Sequence, residues 1–136
     1  MKRRTFLATA AGLSTVSLAG CIGSSLSASQ YDVGMETNAF RPEQYTVEVG
    51  DAVVWGNSGS RPHTVTAFQD GLPEGASYFA SGGYDSQQAA DDAWPNGGGI
   101  QPGETYEHVF EVAGTYNYYC IPHLRGGMVG SITVEE

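Results

Sequence analysis

The feature that most restricts the fold of this chain is a series of short runs in which apolar and polar residues alternate. Tyr45, Val47 and Val49 share one parity, and similar runs recur between turn residues such as Gly, Pro and Asp. A period of two places the apolar residues on one face of a strand. The runs cover residues 31–35, 45–49, 52–55, 64–68, 106–112, 116–120 and 130–134. Several short strands of this kind predict an all-β, Greek-key β-sandwich that is rich in antiparallel pairs.

One connection, residues 69–103, departs from this alternation. It contains eight glycines and four aromatic residues, and aromatic rings usually seek burial. We therefore expect a long insertion that packs against the sandwich. Inside it we predict one short helix, with Asp85 as N-cap and Gln88 at the third helical position, that continues through Ala93 until Pro95 ends it.

The first twenty residues have the pattern of an export signal. Residues 2–4 read Lys-Arg-Arg, and a mildly apolar stretch then ends in Leu-Ala-Gly-Cys at Cys21. This pattern suits a twin-arginine signal peptide, and its end resembles a lipobox, which implies cleavage before Cys21 and lipid on its sulfur. An uncleaved or ordinarily processed leader is the alternative. We expect residues 1–20 to be the signal, 21–29 a Ser-rich tether, and 30–136 the working domain outside the cytoplasm.

The charge distribution restricts the partners of this domain. All 15 acidic residues lie at Asp32 or later, whereas only Arg41, Arg61 and Arg125 carry positive charge beyond the leader, so this part of the chain has a net charge of −12. Such a surface repels phosphate backbones, which argues against nucleic-acid binding. An apolar fraction of 40% in 136 residues is too high for wholesale disorder and fits one compact domain.

The strongest chemical pattern is one loop that carries a thiol, an imidazole and a thioether. Cys120, His123 and Met128 follow one another as Cys-x2-His-x4-Met, and His63 opens another predicted strand. Structural zinc sites prefer four Cys or His ligands, and catalytic zinc does not select a thioether. Two His and one Cys with a weak axial Met are the pattern of blue copper. The spacing therefore predicts a copper site formed by these four residues.

Each of the four residues taken singly has a simpler interpretation. Met128 could fill the core, and His63 or His123 could be an ordinary histidine at a strand end. A single exported cysteine such as Cys120 is commonly a small buried hydrophobe or a partner in an intermolecular disulfide. The occurrence of all four in this spacing favours the metal site.

With these residues the sequence resembles the small blue copper proteins of the plastocyanin and halocyanin type. The resemblance covers most of residues 30–136. It implies the cupredoxin fold, His63, Cys120, His123 and Met128 as ligands of one copper ion, and an electron carrier that cycles between Cu(II) and Cu(I) rather than an enzyme. The matching stretches are Phe40-x-Pro42-x-x-Tyr45-x-Val47-x-Val49-Gly50-Asp51, Val54-x-x-Asn57, Pro62-His63, Gly114-Thr115-Tyr116, Cys120-x-Pro122-His123 and Gly127-Met128-x-Gly130.

The leader and the acidic, Lys-free domain favour the halocyanin side of this resemblance. That side implies a monomeric, halophilic carrier, held on the outer face of the cell membrane by lipid at Cys21. Its partners would be redox proteins of a membrane electron-transport chain. The insertion at residues 69–103 departs from the plant-type pattern, so the resemblance does not extend to a partner surface there.

Residues around the predicted ligands have expected supporting roles. Asn57 and Thr64 are predicted to brace the ligand loops, with simple turn and strand bonding as the alternative. Arg61 and Arg125 each lie two positions from a ligand histidine. We expect them to form a small positive rim, with solvated loop charges as the alternative.

Three further side chains are assigned away from the metal. His108 shares parity with its aromatic neighbours in its predicted strand and has no donor at motif spacing, so we interpret it as a half-buried structural histidine. Met35 is predicted to lie in the core. Tyr119 has the opposite parity to Cys120, and we expect it to point toward solvent or a docking patch.

Three other functions remain as alternatives at this stage. A copper oxidoreductase would need further metal ligands, and His108 is the one spare histidine. A copper storage or delivery protein would carry exposed Met or His clusters, which the sequence does not show. An adhesion-like β-sandwich would bind no metal and would lack the visible copper–thiolate band.

Overall fold

The computed structural model describes residues 26–136, which form two four-stranded sheets packed as a sandwich. The predicted signal and Cys21 lie outside the described residues. Within residues 26–136, no helix has the length and apolar character needed to cross a membrane. The strands are β1 Val33–Met35, β2 Phe40–Arg41, β3 Gln44–Glu48, β4 Ala52–Asn57, β5 Thr66–Ala67, β6 Thr105–Val109, β7 Gly114–Tyr119 and β8 Val129–Glu135.

The strand order confirms the predicted β-sandwich. The first sheet has the order β2-β1-β4-β6 and the second has the order β3-β8-β7-β5. The β1–β4 and β3–β8 pairs are parallel, and the other neighbours are antiparallel. Because β7 and β8 pair through Tyr119 and Val129, the chain leaves and re-enters this sheet at one end, where the Cys-His-Met loop lies.

The core lies between the sheets and follows the alternation seen in the sequence. In β4, Val53 and Trp55 are fully buried, and in β7 the inward residues are Tyr116 and Tyr118. The Trp55 ring meets the Tyr118 ring edge-on, with centroids 5.4 Å apart. Met35 is also fully buried here, as predicted. Burial of these large side chains, at about 1.5–3 kcal/mol each, supplies the main stabilisation of the sandwich.

The insertion contains the expected short helix, α1, which spans Gln87–Ala93. The predicted N-cap, Asp85, was wrong by one residue. Ser86 has the extended backbone of an N-cap, and its hydroxyl accepts a hydrogen bond from Ala89 N–H over 3.1 Å, which satisfies one of the free amides of the first turn. The helix ends before Pro95 as expected, because the residue preceding a proline avoids helical geometry.

The insertion is fastened to the sandwich at several points. Phe79 enters the core and stacks on Trp55 with centroids 6.1 Å apart. Gln69 and Gln87 exchange two hydrogen bonds, each side-chain oxygen accepting from the other residue's N–H. The expectation that this segment packs against the sheets is confirmed by these contacts.

Candidate metal centre

Three of the four predicted ligands meet at the end of the sandwich where β7 stops. The Nδ1 atoms of His63 and His123 lie 3.2 Å apart. The Sγ of Cys120 lies 3.5 Å from Nδ1 of His63 and 3.3 Å from Nδ1 of His123. Within the described part of the chain, this is the one group of three or more His, Cys or carboxylate side chains placed closely enough to hold a metal ion. His63, which lies 57 positions before Cys120 in the sequence, therefore joins the donors of the Cys-His-Met loop.

The backbone places Met128 next to Cys120. The chain leaves β7 at Cys120, forms a 3-10 helix over Ile121–Gly126, and returns at Met128. Gly127 makes this return possible with a φ of +85°, a left-handed conformation that glycine adopts without steric cost. Cys120 N–H donates to the carbonyl of Met128 over 3.1 Å, which continues the antiparallel β7–β8 pairing by one residue.

This pairing also decides the direction of the Met128 side chain. Residues directly opposite one another in an antiparallel pair project to the same face of the sheet. Cys120 and Met128 are both completely buried, so the thioether and the thiol share the inner face at the metal end. The four predicted ligands thus form one site.

His63 is fixed by backbone hydrogen bonds to the end of the insertion. Its N–H donates to the Ile100 carbonyl over 3.1 Å, and Ile100 N–H donates to the His63 carbonyl over 2.7 Å. The side-chain amide of Asn57 donates to the carbonyls of Arg61 and Ile100 over 2.7 and 2.8 Å. The Asn57 oxygen accepts from Gly59 N–H. Asn57 therefore ties the loop before His63 to the strand-like segment at Ile100.

Thr64 connects the two halves of the site. Its N–H donates to Sγ of Cys120 over 3.4 Å, and its hydroxyl accepts from Ile121 N–H over 2.9 Å. The same hydroxyl lies 2.9 Å from the hydroxyl of Thr66. Since Thr64 and Thr66 are both almost fully buried, these bonds lie away from competing water.

Burial sets the protonation of the donor groups. Burial, with a smaller contribution from His123, lowers the pKa of His63 to about 4. Burial raises the pKa of the Cys120 thiol to about 11, although the bond from Thr64 N–H acts in the opposite direction. The pKa of His123 is lowered by burial and then by the charge of Arg61. At neutral pH the metal-free site therefore holds two neutral imidazoles and a protonated thiol, and a bound cation takes the place of the thiol proton.

The donor set suits a soft, redox-active metal. Two imidazole nitrogens and the Cys120 sulfur face one another at hydrogen-bond distances. A second buried sulfur belongs to Met128, whose backbone pairs with that of Cys120. Thiolate and thioether donors select soft ions such as Cu(I), and imidazole suits both copper states. The residues present therefore fit a single copper ion.

One edge of the site reaches the surface. His63, Cys120 and Met128 are fully buried, whereas His123 is only partly so. Its neighbour Pro122 is exposed, and Leu124 is 41% exposed. The imidazole of His123 is consequently the donor with the shortest path to a partner.

His108 lies apart from these donors. Its ring stacks on Phe79 with centroids 4.7 Å apart and planes 19° apart, and it meets Phe110 edge-on. Burial lowers the pKa of His108. This half-buried, aromatic setting agrees with the structural interpretation of His108.

The expected exposure of Tyr119 was wrong. The residue does point away from the face of Cys120, but only 2% of it is exposed. Its ring packs on Phe68 with centroids 4.5 Å apart, and its hydroxyl donates to Asp91 and accepts from the amide of Gln87. Helix α1 of the insertion therefore covers the position where solvent was expected.

Sequence analysis also missed Ile100 as a residue that positions His63. The two bonds between them involve backbone atoms alone, so no side-chain pattern in the sequence announces the contact. The nearest indication in the sequence is that the stretch without strand alternation, residues 69–103, ends close to this position.

Comparisons with known proteins agree with this geometry. Residues 28–135 match the family model of copper binding proteins of the plastocyanin/azurin family. A plastocyanin of Scenedesmus fuscus is 36% identical over 96 residues, which cover 71% of this chain and 86% of that protein. The crystal structure of amicyanin from Paracoccus versutus superposes with a TM-score of 0.54 and 28% identity, covering 76% of this chain and 78% of the other. A purple cupredoxin from Nitrosopumilus maritimus gives a TM-score of 0.52 and 26% identity over 76% of this chain and 100% of the other.

Proposed function

Because the chain belongs to the plastocyanin/azurin family of copper binding proteins, we propose that it is a one-electron carrier with a single copper site. One observation carries the proposal: the thiol of Cys120 and Nδ1 of both His63 and His123 converge within 3.2–3.5 Å of one another. When bound, copper would alternate between Cu(II) and Cu(I) and so carry one electron.

Each ligand has a defined part in this proposal. Cys120 would bind as thiolate, His63 and His123 would bind through Nδ1, and Met128 would contribute a weak thioether donor. The two sulfurs stabilise the reduced ion, and the imidazoles accommodate both oxidation states.

The surrounding residues would keep these ligands in place during a change of charge. Asn57 holds the loop before His63 by its two side-chain N–H bonds, and Thr64 holds both Cys120 and the following residue. Ligands locked by packing and by such bonds move little. Small movement on reduction makes electron transfer fast, and the burial of three of the four ligands keeps bulk water away from the ion.

Electrons would enter and leave through the partly exposed edge of His123. Tyr119, the neighbour of Cys120 that was expected to face solvent or a docking patch, is covered by α1 and offers no second exposed edge. The proposal accordingly assigns the exchange surface to the end of the molecule that carries Pro122 and Leu124.

We also propose where the carrier works. The leader pattern at residues 2–4 and the Leu-Ala-Gly-Cys sequence ending at Cys21 support export and lipid attachment on the outer face of the cell membrane. The net charge of −12 after the leader supports a halophilic setting. Partners would be redox proteins of a membrane electron-transport chain. The chain would serve as a monomeric carrier and not as an enzyme.

The test is a copper titration of the metal-free protein followed by visible spectroscopy. We expect an intense copper–thiolate band that saturates at one copper per chain and disappears on mild reduction. Cys120→Ser should remove the band while the far-UV spectrum stays that of a folded sandwich. The matched control is His108→Gln, a histidine outside the site, which should keep the band. A titration that gives no band, or a band that survives in Cys120→Ser, would overturn the proposal.

A further inference from the structure

The residues that precede the first strand are folded onto the first sheet close to the metal end. Residues 26–31, which we call the N-terminal strap, begin at Leu26 and include a 3-10 turn at Ala28–Gln30. Ser27 and Gln30 close this turn: Gln30 N–H donates to the Ser27 carbonyl over 3.0 Å, and Ser27 N–H donates to the Gln30 side chain over 2.8 Å. Most of the predicted tether after position 25 is therefore part of the folded domain.

Two glycines form the seat of the strap. Gly34 of β1 and Gly56 of β4 lie opposite each other in the parallel pair, on the outer face, because their neighbours Met35 and Trp55 point into the core. A methyl group at Gly34 would lie 2.9 Å from Tyr31 Cε1. Only residues without a side chain allow the Tyr31 ring to approach the sheet this closely.

Leu26 shares this seat. A methyl group at Gly56 would lie 2.6 Å from Tyr31 Cδ2 and 2.9 Å from Leu26 Cδ1. Leu26 and Tyr31 are each partly buried. The strap thus leaves the domain beside Gly56, and not at the start of β1.

This seat lies at the metal end of β4. Gly56 precedes Asn57, whose side chain bonds to the Ile100 carbonyl, and the same carbonyl accepts from His63 N–H. The opposite end of β4, at Ala52, lies four residues before Gly56, about 13 Å away along the strand. The point where the strap leaves the domain is therefore near the ligands.

The strap shortens the connection to the membrane. From Cys21 to Leu26 the chain has five residue steps, which span at most about 18 Å when extended. If the strap were released, the twelve steps from Cys21 to Val33 would span at most about 43 Å. The strap thus more than halves the distance over which the domain can move from its proposed lipid anchor.

The charge of the domain favours the same orientation. With a net charge of −12, the domain is repelled by anionic headgroups. Among residues 26–136, Arg41 pairs with Glu36 over 3.0 Å, whereas Arg61 and Arg125 have no ion pair and lie two positions from His63 and His123. These two charges reduce the repulsion between the metal end and the headgroups.

We propose that the N-terminal strap holds the metal end of the domain toward the bilayer, where it exchanges electrons with a redox protein embedded in the membrane and not with a freely diffusing one. This inference rests on the proposed copper site and on lipid at Cys21. Seating of the strap on Gly34 and Gly56 is the observation that carries it.

The test measures the distance between copper and the bilayer. The lipidated, copper-loaded protein is bound to vesicles that contain a headgroup dye whose emission overlaps the copper–thiolate band, and quenching is compared before and after reduction. We expect strong quenching by the oxidised protein that is lost on reduction. Inserting twenty Gly and Ser residues between Ser25 and Leu26 adds an average reach of about 25 Å and should remove most of the quenching. The same linker added after Glu136 is the control and should change nothing.

Variants that release the strap test this inference separately from the copper proposal. The double variant Leu26→Ser, Tyr31→Ser and the single variant Gly56→Ala should each keep the visible band but lose a large part of the quenching. Unchanged quenching in both variants would overturn the strap inference and leave the electron carrier standing. The same holds if the wild-type protein shows its band but does not bind vesicles. Absence of the band itself would overturn the copper proposal and, with it, this inference.

Discussion

The backbone N–H of Thr64 points at the Sγ of Cys120 across 3.4 Å. The side chain of the same residue accepts a hydrogen bond from Ile121 N–H, so one residue of the His63 segment holds both the thiol and the start of the loop that follows it. The link joins two parts of the chain that are 56 positions apart.

Removal of the Thr64 hydroxyl should destabilise the copper-loaded protein. Thr64→Val keeps the shape of the side chain but leaves the partly buried Ile121 N–H without its acceptor, which should lower the free energy of unfolding by about 1–3 kcal/mol. Thr64→Ser keeps the hydroxyl and is the control. Denaturant unfolding followed by fluorescence measures both, and equal stability of the two variants would contradict the role assigned to this hydroxyl.

Reversal of the charges around the site should lower the reduction potential. Positive charge near the metal favours the reduced ion, and Arg61 is close enough to His123 to lower the pKa of that histidine. The double variant Arg61→Glu, Arg125→Glu should therefore shift the potential downward by on the order of 50 mV at low salt. Protein-film voltammetry measures the shift.

Two comparisons sharpen this test. Arg41→Glu makes the same substitution at a charge that Glu36 already offsets, and it should change the potential less than Arg61→Glu alone. Because exposed charges are screened, the shift should also shrink in molar salt. A double variant with the wild-type potential at low salt would show that the two arginines are solvated charges without influence on the metal.

The hydroxyl of Tyr119 should stabilise the docking of α1. Tyr119→Phe keeps the ring on Phe68 but removes the bonds to Asp91 and Gln87, at a cost of about 1 kcal/mol. We expect faster amide hydrogen exchange in Gln87–Ala93 with an unchanged copper–thiolate band. A change of the band with no change in exchange would show instead that the hydroxyl acts on the metal site.

His108 should make stability depend on pH. Burial lowers the pKa of His108 in the folded protein from 6.5, so below pH 6.5 the unfolded chain binds a proton that the folded chain does not. The contribution of neutral His108 to the free energy of unfolding is therefore fully present above pH 6.5. It is lost as the pH falls below that value, by at most about 1.4 kcal/mol per pH unit.

The variant His108→Phe tests this sign. It keeps an aromatic ring on Phe79 but cannot be protonated. Thermal unfolding of the copper-loaded proteins at pH 7.5 and pH 5 should show a smaller loss of stability in the variant than in the wild type. Parallel losses in both proteins would mean that His108 does not carry this dependence.

Patterns of period two and the ligand spacing were sufficient to predict the sandwich and to bring Cys120, His123 and Met128 together, because those features depend on local residues. The same holds for the end of α1 at Pro95. His63 could be assigned only because its residue type completed a recognised donor set.

Features that depend on packing across the sheets could not be read from the sequence. Parity correctly placed Tyr119 on the face opposite Cys120, but burial of that face depends on where α1 docks. Asp85 and Ser86 are adjacent, and both residue types are good N-caps. The sequence pattern therefore could not decide that the helix is capped by Ser86. The packing of Leu26 on the sheet could not be predicted, because the residue it packs on, Gly56, has no side chain and adds no apolar position to the sequence pattern.

The insertion returns to the sandwich through backbone bridges at both Ala80 and Ile100, opposite Thr66 and His63. Lengthening or shortening residues 69–103 would therefore displace the ligand His63 directly, although this glycine-rich stretch contains no predicted ligand. Attempts to graft new recognition loops onto this scaffold should begin at other turns, since changes here would alter the geometry of the metal site through His63.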